Sequence, residues 1–152
     1  MTAKSPDGSP AAKILMIDDN KLGLLARKHL LSELGHNVTI ASSATEGLEQ
    51  FAAQPFDLII TDFRMPDMDG VEVIQRVRAH NPGIPVILIS GFSTALGLNE
   101  ESTGADLVLQ KSATEVPQLI RAVNRLLRRN AVPRKRAASQ KNSAAAAVKR
   151  TG

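Results

Sequence analysis

The chain of 152 residues has no cysteine, no tryptophan and no tyrosine, and four phenylalanines are its only aromatic side chains. Without cysteine there is no disulfide scaffold, no thiolate zinc site and no thiol nucleophile, and a cytoplasmic setting is expected. With so few aromatics the core has to be built from Leu, Ile, Val and Ala; a hydrophobic content of 43% suffices for one. No apolar run approaches the ~20 residues of a membrane span, so no membrane association is expected. Residues 1–12 are rich in Ser, Pro and Gly and lack the apolar stretch of a secretory signal, and read as a disordered tail. Gly-rich phosphate loops of the P-loop or dinucleotide type are missing. His29, His36 and His80 show no metal-ligand spacing, and surface positions are expected for them.

Charge is unevenly spread. The whole chain carries +4. Residues 131–152 hold Arg134, Lys135, Arg136, Lys141, Lys149 and Arg150 and no acid. The body is therefore mildly acidic and the tail basic, an asymmetry that points to a partner for the tail. That tail is rich in Ala, Ser, Lys and Arg and too poor in apolar residues to fold by itself, so it reads as disordered.

Residues 13–130 alternate between two patterns. Short, β-branched, consecutively apolar runs at Ile14–Ile17, Val38–Ala41, Phe56–Thr61, Ile84–Ser90 and Ala105–Leu109 predict buried strands. Between them lie helical spacings. Leu22, Leu25, Ala26, Leu30 and Leu34 form a stripe closed by Gly35. Ala44, Leu48, Phe51 and Ala52 follow Ser43 and Glu46, spaced as a capping box. Val73, Ile74 and Val77 precede Asn81-Pro82-Gly83. Val116, Leu119, Ile120, Val123, Leu126 and Leu127 make the clearest stripe, with Thr114 as expected N-cap and Pro117 in the first turn. Ser93–Thr103, interrupted by Gly97 and Asn99, predicts a short or mobile helix. Five strands alternating with five helices predict a three-layer, doubly wound α/β fold with a parallel sheet. In such a sheet, ligands bind beyond the carboxyl ends of the strands.

The residues at those ends are Asp18-Asp19, Asp62, Ser90-Gly91 and Lys111. Three converging carboxylates repel one another unless a cation lies among them. Oxygen donors with no His or Cys nearby favour a hard divalent ion, Mg²⁺. A metal, a lysine and a hydroxyl beside a carboxylate suit a phosphoryl group, with one carboxylate as nucleophile.

Ile17-Asp18-Asp19-Asn20, then Asp62-Phe63-Arg64-Met65-Pro66-Asp67-Met68-Asp69-Gly70, Ile89-Ser90-Gly91, and Gly104-Ala105-Asp106 ahead of Lys111 together resemble the receiver domain of two-component response regulators. The resemblance covers about residues 13–130 and is most specific from Asp62 to Gly70. It implies a flavodoxin-like sheet of order 2-1-3-4-5 flanked by five helices. It makes Asp62 the phosphoacceptor in a Mg²⁺-dependent reaction, Asp19 a direct ligand, Asp18 a ligand mainly through water, and the Arg64 backbone carbonyl a further ligand. Ser90 becomes the switch hydroxyl and Lys111 the partner of phosphorylated Asp62. Met65-Pro66 and Met68-Asp69-Gly70 shape the loop, with Gly70 permitting an unusual backbone turn. The implied partners are a sensor histidine kinase or histidine phosphotransfer protein, with output or homodimer contacts on the fourth helix, fifth strand and fifth helix. The chain is then expected to be a stand-alone receiver: a signalling switch that catalyses its own phosphorylation and slow dephosphorylation, and otherwise not an enzyme.

Two positions depart from the family pattern. Val108 stands where an aromatic residue is usual, and Ser112 where a proline usually follows the lysine. Phe92 and Arg64 flank the phosphoryl position and are expected to tune hydrolysis, bulky Phe92 by slowing water attack. Competing functions are weaker. A haloacid-dehalogenase-like phosphatase would need its nucleophile after the first strand in an Asp-x-Asp pair, whereas Asp62 follows the third and Arg64 stands two residues later. A DNA-associated regulator would act only through the basic tail, which could hold phosphates but not read bases. A degenerate receiver would work by binding alone.

Overall fold

The computed structural model describes residues 11–91, 96–112 and 115–129. Five strands, β1 (Lys13–Ile17), β2 (Asn37–Ala41), β3 (Leu58–Asp62), β4 (Val86–Ser90) and β5 (Leu107–Gln110), form one sheet of order β2-β1-β3-β4-β5. Every pairing is parallel. The helices are α1 (Lys21–Glu33), α2 (Ala44–Ala53), α3 (Gly70–His80), α4 (Glu100–Thr103) and α5, residues 115–129.

Strand alternation sorts the core into two layers. Ile14, Met16, Leu58, Ile60, Ile87 and Ile89 face Leu24 and Leu31 of α1 and Leu119, Val123 and Leu126 of α5. Leu15, Ile17, Ile59, Val86 and Leu88 face Ala44 of α2 and Val73, Ile74 and Val77 of α3. A sheet covered on both faces explains why its strands read as unbroken apolar runs.

Several local readings are refined. On α1 the buried residues are Leu24 and Leu31, whereas Leu22 is 81% and Leu25 54% exposed. Both sets fit helical spacing, and the tertiary contact, not the period, selects the face. The first helix still turns at Gly35, whose φ is 98°. Ser43 caps α2, its Oγ accepting from the Glu46 amide, but the Glu46 carboxylate accepts from the backbone and hydroxyl of Ser42 instead of closing the box on Ser43. Asn99 does not interrupt a helix; it caps α4 in a reciprocal box with Ser102. Pro117 lies in the first turn of α5, as expected, while Thr114 and residues 93–95 of the expected Ser93–Thr103 helix lie outside the described residues. His36 is buried, against expectation: the turn after α1 carries it in beside the start of β1, where its Nδ1 accepts from the Ala12 amide at 3.1 Å.

Gly70 adopts no positive φ, which corrects the reading that it permits an unusual turn. Its constraint is space. A Cβ there would strike the Asp62 carbonyl and come within 2.6 Å of Leu88 Cδ1. The Gly70 amide also donates to the Phe63 carbonyl at 2.7 Å, drawing the start of α3 against the end of β3.

Candidate functional site

The parallel register fixes the site. Ile17 pairs with Thr61, Asp62 with Ile89 and Ser90 with Gln110, so the carboxyl ends of β1, β3, β4 and β5 lie along one edge. Asp18, Asp19 and Asp62 converge there, each offering one carboxylate oxygen within 4.8 Å of the others. Asp18 and Asp62 are buried, and Asp19 is exposed. The Lys111 amide donates to the Ser90 carbonyl at 2.9 Å, fixing the loop after β5 against β4. The lysine side chain then reaches 3.0 Å from Asp62 Oδ1 and 3.8 Å from Asp18 Oδ2. Ser90 is buried at the end of β4. The expected chemistry-bearing residues at the strand ends, Asp18, Asp19, Asp62, Ser90 and Lys111, are thus brought to one edge.

Around this centre the loop after β3 is tied to α2. Asp67 Oδ2 accepts from the amide and the hydroxyl of Thr45, both at 2.8 Å. These bonds hold its carboxyl below the usual range. Asp69 caps α3 by accepting from the Glu72 amide. Met65 is buried and Met68 partly so, both in the α2–α3 layer, as loop packing. Val108 packs into the same layer from β5, and its amide donates to Glu100 Oε2 at 2.9 Å. Arg64 and Ser112 are exposed. Phe92 lies outside the described residues.

Burial pushes the Asp62 carboxyl up; the hydrogen bond from Lys111 pulls it down, and the charges of Asp18 and Asp19 push it up again, leaving it above the usual value. The three oxygens therefore form a hard, acid-rich donor set whose mutual repulsion a divalent cation would relieve, so the residues fit Mg²⁺.

Two site residues were not anticipated from the sequence. Arg27, from α1, has a side chain only 12% exposed. Its Nη1 donates to Asp18 Oδ2 at 3.0 Å and its Nε to Glu115 Oε2 at 2.6 Å. Glu115 opens α5 and is buried. Burial disfavours the charged guanidinium, but Glu115 and then Asp18 outweigh it and hold Arg27 above its ordinary value. A signal for Arg27 existed. It lies three residues after Leu24 and four before Leu31, a charged residue on the apolar face of α1.

A doubly wound parallel sheet with an acidic trio and a lysine at its carboxyl edge defines the class of the molecule. The model of the response regulator receiver domain family matches residues 14–124. The chain belongs to this family. It is 38% identical over 81 residues to the transcriptional regulatory protein ZraR of Escherichia coli, covering 53% of this chain and 18% of that protein. It is 33% identical over 128 residues to a gliding motility regulatory protein of Myxococcus xanthus, covering 78% of this chain and 16% of the relative. The chain thus spans less than a fifth of the length of these curated relatives. Among solved structures it is similar to the response regulator TrrA of Thermotoga maritima, solved in complex with Mg²⁺–BeF, at 30% identity and a TM-score of 0.69, covering 76% of this chain and 98% of that one. A receiver domain from Clostridium thermocellum matches at 33% identity and a TM-score of 0.70, covering 80% and 98%.

Proposed function

We propose that Asp62 is the phosphoacceptor of this receiver and that Mg²⁺ occupies the pocket of Asp18, Asp19 and Asp62. The observation that carries the reading is the convergence of three carboxylates within 4.8 Å, with Lys111 on Asp62. Exposed Asp19 would hold the ion directly. Asp18, whose Oδ1 accepts from the Asn20 amide and whose Oδ2 holds Arg27, would act mainly through water. The Arg64 backbone carbonyl would be the further donor. The Mg²⁺–BeF complex of TrrA supports this assignment by likeness.

An Asp62 oxygen attacks the phosphorus of a phosphohistidine on a sensor kinase or phosphotransfer protein. The O–P bond forms, the P–N bond breaks, and the departing imidazole takes a proton from solvent. Bound Mg²⁺ would supply charge neutralisation for the phosphoryl oxygens. Lys111 stays paired with the modified Asp62, and the Ser90 hydroxyl donates to the phosphoryl group. Arg64 and Phe92 tune hydrolysis of the acyl phosphate, and Val108 removes the aromatic switch from the output route. The domain spans 13–130, works in the cytoplasm, and presents α4, β5 and α5 to a target or to a second copy. In this reading the chain catalyses its own phosphorylation and slow dephosphorylation.

The test is acetyl phosphate with Mg²⁺ followed by intact mass. A gain of about 80 Da, lost with EDTA and in Asp62→Asn, is expected. Labelling that persists in Asp62→Asn would refute the assignment.

A further inference from the structure

Besides Mg²⁺, the receiver reading uses one cationic side chain on these carboxylates, Lys111, yet a second contacts them. Arg27 is almost as enclosed as its partners, with side-chain exposures of 12% for Arg27, 4% for Asp18 and 11% for Glu115. Its guanidinium forks between the acidic pocket and the first turn of α5. One arm contacts Asp18 Oδ2 at 3.0 Å, the same oxygen that lies 3.8 Å from Lys111. The other contacts Glu115 Oε2 at 2.6 Å. A guanidinium is charged at every accessible pH and cannot leave the site by losing a proton. Any divalent ion that draws on Asp18 must therefore compete with it. Glu115 works against that competition, because it spreads the positive charge over a second carboxylate and fixes the fork toward α5.

We infer that Arg27 is a resident counter-cation of the acidic pocket that opposes Mg²⁺ at Asp18, and that Glu115 sets the strength of this opposition by drawing Arg27 toward α5. Arg27 and Glu115 are positioning residues, not catalytic ones. The inference rests on the reading that the pocket takes Mg²⁺. Linkage makes the effect reciprocal: an ion in the pocket weakens the hold of Arg27 on Asp18 to the same extent that Arg27 weakens the ion. The tie between α1, the pocket and α5 is thereby sensitive to occupancy. It runs through the opposite layer of the sheet from Val108, which packs with α2 and α3.

The two partners predict opposite signs, which a merely structural ion pair does not. Mg²⁺ is titrated calorimetrically into the full chain, into Arg27→Met and into Glu115→Gln, with circular dichroism as the check on folding. Arg27→Met is expected to bind Mg²⁺ roughly three- to tenfold more tightly, and Glu115→Gln more weakly by a similar factor. Should Arg27→Met not fold, Arg27→Gln, which keeps a donor but no charge, carries the same expectation. Variants that shift in the same direction, or not at all, while the unaltered chain binds Mg²⁺ overturn this inference alone. An unaltered chain that takes up no Mg²⁺ overturns the metal-site reading and this inference with it.

Discussion

Lys111 Nζ lies 3.0 Å from Asp62 Oδ1 and 3.8 Å from Asp18 Oδ2, so one ammonium from the loop after β5 spans carboxylates at the ends of β3 and β1. Its position depends on the backbone bond to Ser90, which anchors that loop to the intervening strand. Lys111→Ala should lower the initial rate of labelling by acetyl phosphate at least about 100-fold, the usual effect of deleting a donor aimed at developing charge. Mg²⁺ binding should survive. A variant labelled at the normal rate would remove Lys111 from the chemistry.

Asp62 is costly to the fold in the absence of metal. Burial, first, and the neighbouring Asp18 and Asp19 outweigh Lys111 and leave its carboxyl above the usual range. A raised carboxyl means that the folded chain holds the proton more tightly than the unfolded one, so this group's stabilising contribution is lost as pH rises through the folded value. Asp62→Asn should accordingly raise Tm at neutral pH without Mg²⁺. Adding Mg²⁺ should raise the Tm of the unaltered chain by more than that of the variant. A lower Tm for Asp62→Asn in metal-free buffer would contradict this account.

Asp67 has the opposite sign. Its carboxyl is held down chiefly by the Thr45 amide, so its contribution is present above the unfolded value and fades as pH falls through the lower folded one. The group is exposed, and Asp67→Ala should cost only about 0.5–1 kcal/mol. The gap in Tm between the unaltered chain and Asp67→Asn should hold steady from neutral pH to about 5 and narrow below about 4. Thermal melts across that range decide the matter, and a gap that widens in acid would be the wrong sign.

Gly70→Ala should destabilise the fold by about 1–3 kcal/mol, because the added methyl meets the Asp62 carbonyl and Leu88. Relief requires α3 to shift away from β3, so labelling at Asp62 should slow as well. Chemical denaturation and the labelling rate together test this. Normal stability with a normal rate would mean that the junction yields freely.

The parts of this molecule that were legible in its sequence are those set by one physical demand. Strands buried on both faces must be continuously apolar, and all five are recognisable, though offset by a residue or two; Asp57 before β3 and Asp106 before β5 make side-chain bonds to the starts of β1 and β4. The site residues at strand ends follow from parallel topology. The inward face of α1 was not legible, because Leu22 and Leu25 compete with Leu24 and Leu31 on equal spacing. That ambiguity concealed Arg27, whose meaning depends on knowing which face is buried. Glu115 reads locally as an ordinary acid in a first helical turn. Its pairing with a residue 88 positions earlier is a property of the packed molecule.

The site is assembled from parts of unequal local stability. Asp62 ends β3, the central strand, buried at all five positions, whereas Lys111 follows β5, an edge strand with no fully buried residue. Amide exchange should therefore be slowest around Asp62 and much faster along Leu107–Gln110, since edge strands open without global unfolding. Each such opening would withdraw the ammonium from Asp62 while leaving the β3 carboxylate in place. If Asp62 carries the phosphoryl group as proposed, its lifetime should follow the fraying rate of β5, and a partner that clamps that edge should prolong the signal without touching the phosphoryl group.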